Sequence, residues 1–194
     1  MFNFFAVEVA FQLYPGNPTQ QMQQLIRQSP VNQNYTQKWE FYRDYCRLLL
    51  SAASRFEFGV WEFSEGSGAE EEYEEWLRGT EADTAASVSQ GAVAGSNQHD
   101  PYRDAGENRY GIAMALFLVQ DGSNSDAAIR RITTMPQSAF WTRQTISTLL
   151  NGIGYINFAT VKSDAVFVRP GHEAYALTYS ELRTERYQYL RPLT

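Results

Sequence analysis

The chain has a single cysteine, Cys46, among its 194 residues. No disulfide can close within it, and a reducing compartment is the expected setting. Histidine and lysine are nearly as scarce, with His99, His172, Lys38 and Lys162 the complete set. So few imidazoles and thiols leave no spacing that would gather three or four metal ligands, so neither a metal nor a cofactor is expected. The formal charge of -6 argues against nucleic acid, whose phosphates are neutralised by clustered Lys and Arg. No apolar run reaches the length of a membrane span. The opening Met1-Phe2-Asn3-Phe4-Phe5 lacks a basic region, and Glu8 interrupts the apolar residues behind it, so it does not read as a secretory signal. Together these absences point to a cytoplasmic protein.

Sequence signatures of catalysis are also missing. There is no Gly-x-Ser-x-Gly elbow, phosphate loop or Gly-x-Gly-x-x-Gly turn. Cys46 stands among Tyr45, Leu48 and Leu49 and reads as a buried helical thiol rather than a nucleophile. His99, in Gln98-His99-Asp100-Pro101, and His172, beside Glu173, read as loop residues. Binding is therefore expected in preference to catalysis.

What the chain has in quantity is aromatic side chains, with twelve Tyr, twelve Phe and four Trp. Rings in such number fill a core and also reach an interface. Fourteen of the sixteen basic residues are Arg, a choice suited to planar ion pairs.

One stretch occurs twice. Residues 6–30 slide onto residues 112–136 without a gap, matching Phe11 to Phe117, Gly16 to Gly122, Thr19 to Ser125, Ile26 to Ile132 and Pro30 to Pro136. Each copy reads as an apolar strand, a Gly turn, a hydroxyl N-cap (Thr19 or Ser125), a short amphipathic helix and a terminating Pro. In the first copy residues 4–13 form the strand, with Glu8 and Gln12 on its polar face, and a long helix over residues 35–54 and a strand over 55–63 follow. In the second, residues 110–119 are apolar throughout and read as a central strand. A helix over 142–151 and a returning strand over 155–161 follow. Lys162-Ser163-Asp164 then turns a hairpin into a strand over 165–168. Thr178 and Glu181 form a capping box for a last helix.

The expected fold is α/β (α+β): two duplicated β-α-α-β halves with pseudo-two-fold symmetry, sharing one sheet of four or five strands with packed helices. The halves cover residues 1–66 and 109–194, the second carrying the C-terminal hairpin and helix. Residues 67–108 lie between them as an acidic helix, 70–77, and a linker poor in large apolar side chains.

The acidic stretch 62–83 carries nine carboxylates and one Arg. It reads as a docking surface for a basic protein partner, with Tyr73 and Trp76 as anchors and Glu71, Glu74 and Glu75 as its charge. Aromatic residues on both faces of residues 35–63 leave surplus apolar surface, favouring a homo-oligomer. The first function expected is thus non-catalytic binding or assembly, as an accessory or scaffold protein. The alternative is a small-molecule or enzymatic site in the groove between the halves, lined by Tyr14, Asn17, Gln120 and Ser123 from the two equivalent turns.

The carboxyl-terminal quarter offers one further pattern. Leu150-Asn151-Gly152-Ile153-Gly154-Tyr155-Ile156, Ala165-Val166-Phe167-Val168-Arg169-Pro170, Ala176-Leu177-Thr178-Tyr179-Ser180-Glu181-Leu182 and Tyr187-Gln188-Tyr189-Leu190 follow one another. The series resembles the closing pattern of an uncharacterised family of cyanobacterial and plastid thylakoid-associated proteins. Here Arg169 stands for that family's Thr and Gln188 for its Pro, and its apolar, Gly-rich amino-terminal region is missing. The resemblance implies an accessory role near photosynthetic membranes.

Overall fold

The computed structural model describes residues 1–30, 32–94, 108–130, 134–169 and 176–194, with backbone alone for 82–94, 127 and 128. His99 and His172 lie outside the described residues. The fold is mixed α+β. Its strands are β1 (Phe2–Gln12), β2 (Phe56–Glu65), β3 (Arg109–Gln120), β4 (Val161–Arg169), β5 (Leu177–Thr178) and β6 (Arg191–Pro192). They form one antiparallel sheet in the order β4-β3-β1-β2-β6, with β5 continuing the lane of β4 along β3. The helices are α1 (Thr19–Gln28), α2 (Tyr35–Leu50), α3 (Ala69–Ala94), α4 (Asn124–Arg130), α5 (Arg143–Ile153) and α6 (Tyr179–Leu182).

β1 and β3 pair along their whole length, from Phe2 opposite Gln120 to Gln12 opposite Tyr110. Both are buried on both faces, which corrects the reading of β1 as half-buried: Glu8 is 1 % exposed, like its apolar neighbours. Alternation sends Phe5, Val7, Val9 and Phe11 to one face, where they join Met22 of α1, Tyr42, Tyr45 and Leu49 of α2, and Ile146, Leu149 and Ile153 of α5 in one continuous core. Tyr45 fixes α2 to the sheet, its hydroxyl 3.0 Å from the carbonyl oxygens of Met114 and Phe167. Tyr42 donates to Asp164 at 3.0 Å, and Lys38 completes that carboxylate's pairing.

The second face has two separate covers. α3 lays Ala69, Tyr73, Trp76 and Leu77 over Phe4, Ala6, Met114, Leu116 and Leu118, at the spacing of one helical stripe. The carboxyl-terminal segment lays Leu182, Tyr187 and Leu190 over Ala10, Phe58, Tyr110 and Ile112. A Thr178–Glu181 capping box starts α6, a single turn. Between the two covers lies a seam.

Local chemistry differs from the sequence reading at several points. Thr19 is the first residue of α1, not its cap; the Asn17 Oδ1 accepts the Thr19 N–H at 3.1 Å. Ser123, not Ser125, takes the corresponding bond in α4, from the Asp126 N–H, while buried Ser125 accepts the Asn157 N–H. Gly16 and Gly122 have φ of 80° and 70°, the left-handed turn that the repeated Gly predicts. The returning strand is β4, which continues through Lys162-Ser163-Asp164, with its register against β3 shifting at Lys162, where a hairpin turn was expected. Its polar residues are tolerated because Asp164 is bonded to α2. Phe158, placed on a strand by the repeat, sits instead in a 3-10 turn against Tyr42, ring centroids 5.1 Å apart. α3 continues to Ala94, well past the expected end at 77. Its second half has no Pro and several Ala, so helix costs little there even without large apolar side chains.

Candidate functional site

The seam opens into a cleft of about 840 Å³. Its floor is Glu8 of β1, which accepts one bond from the Arg169 Nη2 at 3.0 Å and another from the Tyr189 hydroxyl at 3.0 Å. Arg169 is the last residue of β4, reaches toward β1 across β3, and is 5 % exposed. An unpaired charge at this depth would be costly, and each member of the pair offsets the other's lost hydration. Burial, with the Glu8 charge second, holds the Tyr189 hydroxyl well above the ordinary phenol range.

One wall is acidic. Glu71, Glu72 and Glu75 line the cleft from α3, and Glu62 lines it from β2. The Glu62 carboxyl is held above its ordinary value, chiefly by burial and then by the Glu72 charge. Trp76 stands on the same wall with its ring against Phe4, centroids 6.0 Å apart. At the other side are Trp61 and Trp141, centroids 6.1 Å apart, with the Trp61 indole donating to the Phe140 carbonyl at 3.1 Å. The far end carries Arg186, Arg191 and Tyr189 of the carboxyl-terminal cover. A charged, ring-walled cleft of this kind can hold a cation-bearing group.

The cleft also borders an open strand edge. β6 pairs with β2 only at Phe58 and Gly59. Beyond Gly59, β2 has no strand partner but β1 among the described residues, and Val60 to Ser64 are half-buried where β1 and β3 are fully buried. Gly59 marks the boundary: a Cβ there would lie 3.2 Å from the Glu8 carbonyl and 3.3 Å from methyls of Ile146 and Leu193, so a side chain would have to push these neighbours by a few tenths of an ångström.

Of the residues expected to dock a partner, Glu71, Glu75 and Trp76 are brought together in this cleft. Tyr73 turns inward instead, 6 % exposed and edge-on to Phe4, with burial pushing its hydroxyl up to about 12. Glu74 is exposed and does not line the cleft. The four groove residues do not converge. Tyr14 and Asn17 follow the end of β1, whereas Gln120 and Ser123 follow the end of β3, and the two strands are antiparallel. The turns therefore stand at opposite ends of the sheet, roughly 35 Å apart by strand rise. Asn17 bonds the Tyr14 carbonyl, Ser123 caps α4, and Gln120 is exposed.

Sequence reasoning missed Glu8, Arg169 and Tyr189 as partners in one site, and counted Glu62 in the acidic stretch 62–83 without singling it out. The available signal was a lone carboxylate inside the apolar run 4–13 and a lone guanidinium closing the apolar run 165–168. Two such charges in strands covered on both faces have to find each other. Cys46 is buried as expected, its thiol pushed up to about 12 by burial.

Most aromatic surface is internal. The exposed exceptions on the four-helix side are Tyr35, Trp39 and Tyr155, of which Tyr155 is 79 % exposed. Tyr35 and Trp39 rim a shallow hollow of about 310 Å³ with Ile156 and Phe158. Among the described residues no helix is long and apolar enough to cross a membrane. Comparison with protein-family models, curated proteins and solved structures finds no match to this chain.

Proposed function

We propose that the protein is a non-catalytic binding module that seats a positively charged partner in the cleft between α3 and β2. The observation that carries this reading is the row Glu62, Glu71, Glu72 and Glu75 facing the cleft beside Trp76, with the Glu62 carboxyl held above its ordinary value by burial and Glu72. A cation placed there relieves that repulsion, and the rings supply apolar contact and cation–π attraction. The test is anisotropy of a labelled Lys/Arg-rich peptide at about 50 and 300 mM salt. Binding that weakens with salt, and weakens at least about tenfold in a Glu62→Gln/Glu72→Gln variant whose melting temperature is not lowered, supports the reading. A neutral or anionic metabolite that raises the melting temperature, with no peptide bound, would replace it with a small-molecule site.

We further propose that the two halves are duplicates, as the strand-helix-helix-strand order of each and the lane order β4-β3-β1-β2 support. Residues 6–30 failing to superimpose on 112–136 in an experimental structure would overturn this. Self-association, the other proposal from aromatic content, is supported by Tyr35, Trp39 and Tyr155. Sedimentation velocity that stays monomeric at every concentration would remove it.

A further inference from the structure

We infer that the partner enters as an extended strand, adding to the open edge of β2. This rests on the reading of the cleft as a docking site for a basic partner and names how that partner is held. Three observations converge. β2 runs from Phe56 to Glu65, yet β6 covers its outer edge only at Phe58 and Gly59. The cleft continues along the uncovered edge, since Val60, Trp61 and Glu62 all line it together with Arg191 of β6. Charge then sets the occupant, with Glu62, Glu72 and Glu75 on one side of that edge.

An edge strand presents alternate N–H and C=O groups that a second extended chain can pair with, and alternate side chains of that chain then fall on opposite faces of the sheet. Here the two faces differ. Glu62 stands opposite Ala6 and shares the face covered by α3, whereas Trp61 stands opposite Val7 and shares the face of the continuous core, beside Trp141. A strand seated on Val60 to Ser64 would send every second side chain toward carboxylates and the others toward indole rings. The uncovered stretch is long enough for about five residues of partner. The fitting sequence alternates Lys or Arg with apolar residues.

The test uses the full chain and three capped heptapeptides: one alternating Lys and Val, one of the same composition with Lys and Val in blocks, and the alternating one N-methylated at its Val amides. The expected result is tightest binding by the alternating peptide, at least about tenfold weaker binding by the other two, and slowed amide exchange in the complex at Trp61 and Phe63, the residues of this stretch that face away from β1. Glu62→Lys, at a half-exposed position, is expected to abolish binding with the fold retained. Equal binding of the N-methylated peptide, or no slowing at Trp61 and Phe63, overturns strand addition while leaving the charged cleft as a docking site. Failure of all three peptides to bind overturns both.

Discussion

The two faces of this sheet are built from similar strands and end up differently. On one, four helices converge and a single core runs from Phe5 and Phe117 to Ile146 and Phe158. On the other, α3 and the carboxyl-terminal segment each bury a separate patch. The gap between those patches holds the buried Glu8–Arg169 pair and opens into the cleft. A continuous cover buries nearly all it touches and admits a polar group only with a partner, as Asp164 has in Tyr42 and Lys38; two covers that do not meet leave an open place where charged groups gather.

Truncating the continuous face should have the largest effect. Phe117 is fully buried against Tyr42, 4.8 Å between centroids, and Phe117→Ala is expected to destabilise the fold by about 4 kcal/mol in urea denaturation. The same variant should expose Cys46 to a thiol reagent sooner, and an unchanged rate would mean that this face is less tightly closed than described. At the seam, Glu8→Gln leaves Arg169 without its counter-charge and is expected to cost about 3 kcal/mol. The pair Glu8→Leu with Arg169→Met should recover most of that loss. If it does not, charge is required at the seam for more than mutual neutralisation.

Thr178→Ala removes the hydroxyl that accepts the Glu181 N–H at 3.1 Å and should cost about 1 kcal/mol, loosening the carboxyl-terminal cover alone. Exchange at α3 amides rising equally would show that the two covers act as one. The smallest effect is expected at Glu62. A carboxyl whose folded value lies above its unfolded one holds its proton more tightly in the folded state. Stability therefore falls as pH rises from about 4.5 through the raised value. Glu62→Gln should flatten that fall and raise the melting temperature at pH 7 by about a degree, solvent screening keeping the gain small. A drop at pH 7 instead would mean that this carboxylate is stabilised in the wall, not strained by it.

How much of this was legible in the sequence follows from the same contrast. Periodicity located β1, β2, β3, α2 and α5, because each has a strong apolar pattern with a turn or cap beside it. It failed where tertiary contacts decide. β4 passes through Ser163 and Asp164 because α2 supplies partners for the carboxylate, which no local pattern reports. α3 outruns its apolar stripe because alanine favours helix whether or not it packs. The acidic cleft was half legible: its charge and Trp76 were visible in the sequence, but Glu62 joins them from another element, and Tyr73 was taken by the core. The two Gly turns suggested a shared groove only while the direction of β3 against β1 was unknown.

The floor of the cleft has a consequence for how the molecule comes into being. Glu8 meets Arg169 across 161 positions of sequence and Tyr189 across 181, whereas β1 and β2 can zip together from residues made early in synthesis. Contacts so distant along the chain form late. A chain that has paired β1 with β2 but not yet placed Tyr189 has much of its sheet and no base to its cleft, so the proposed docking site would be completed only after the sheet.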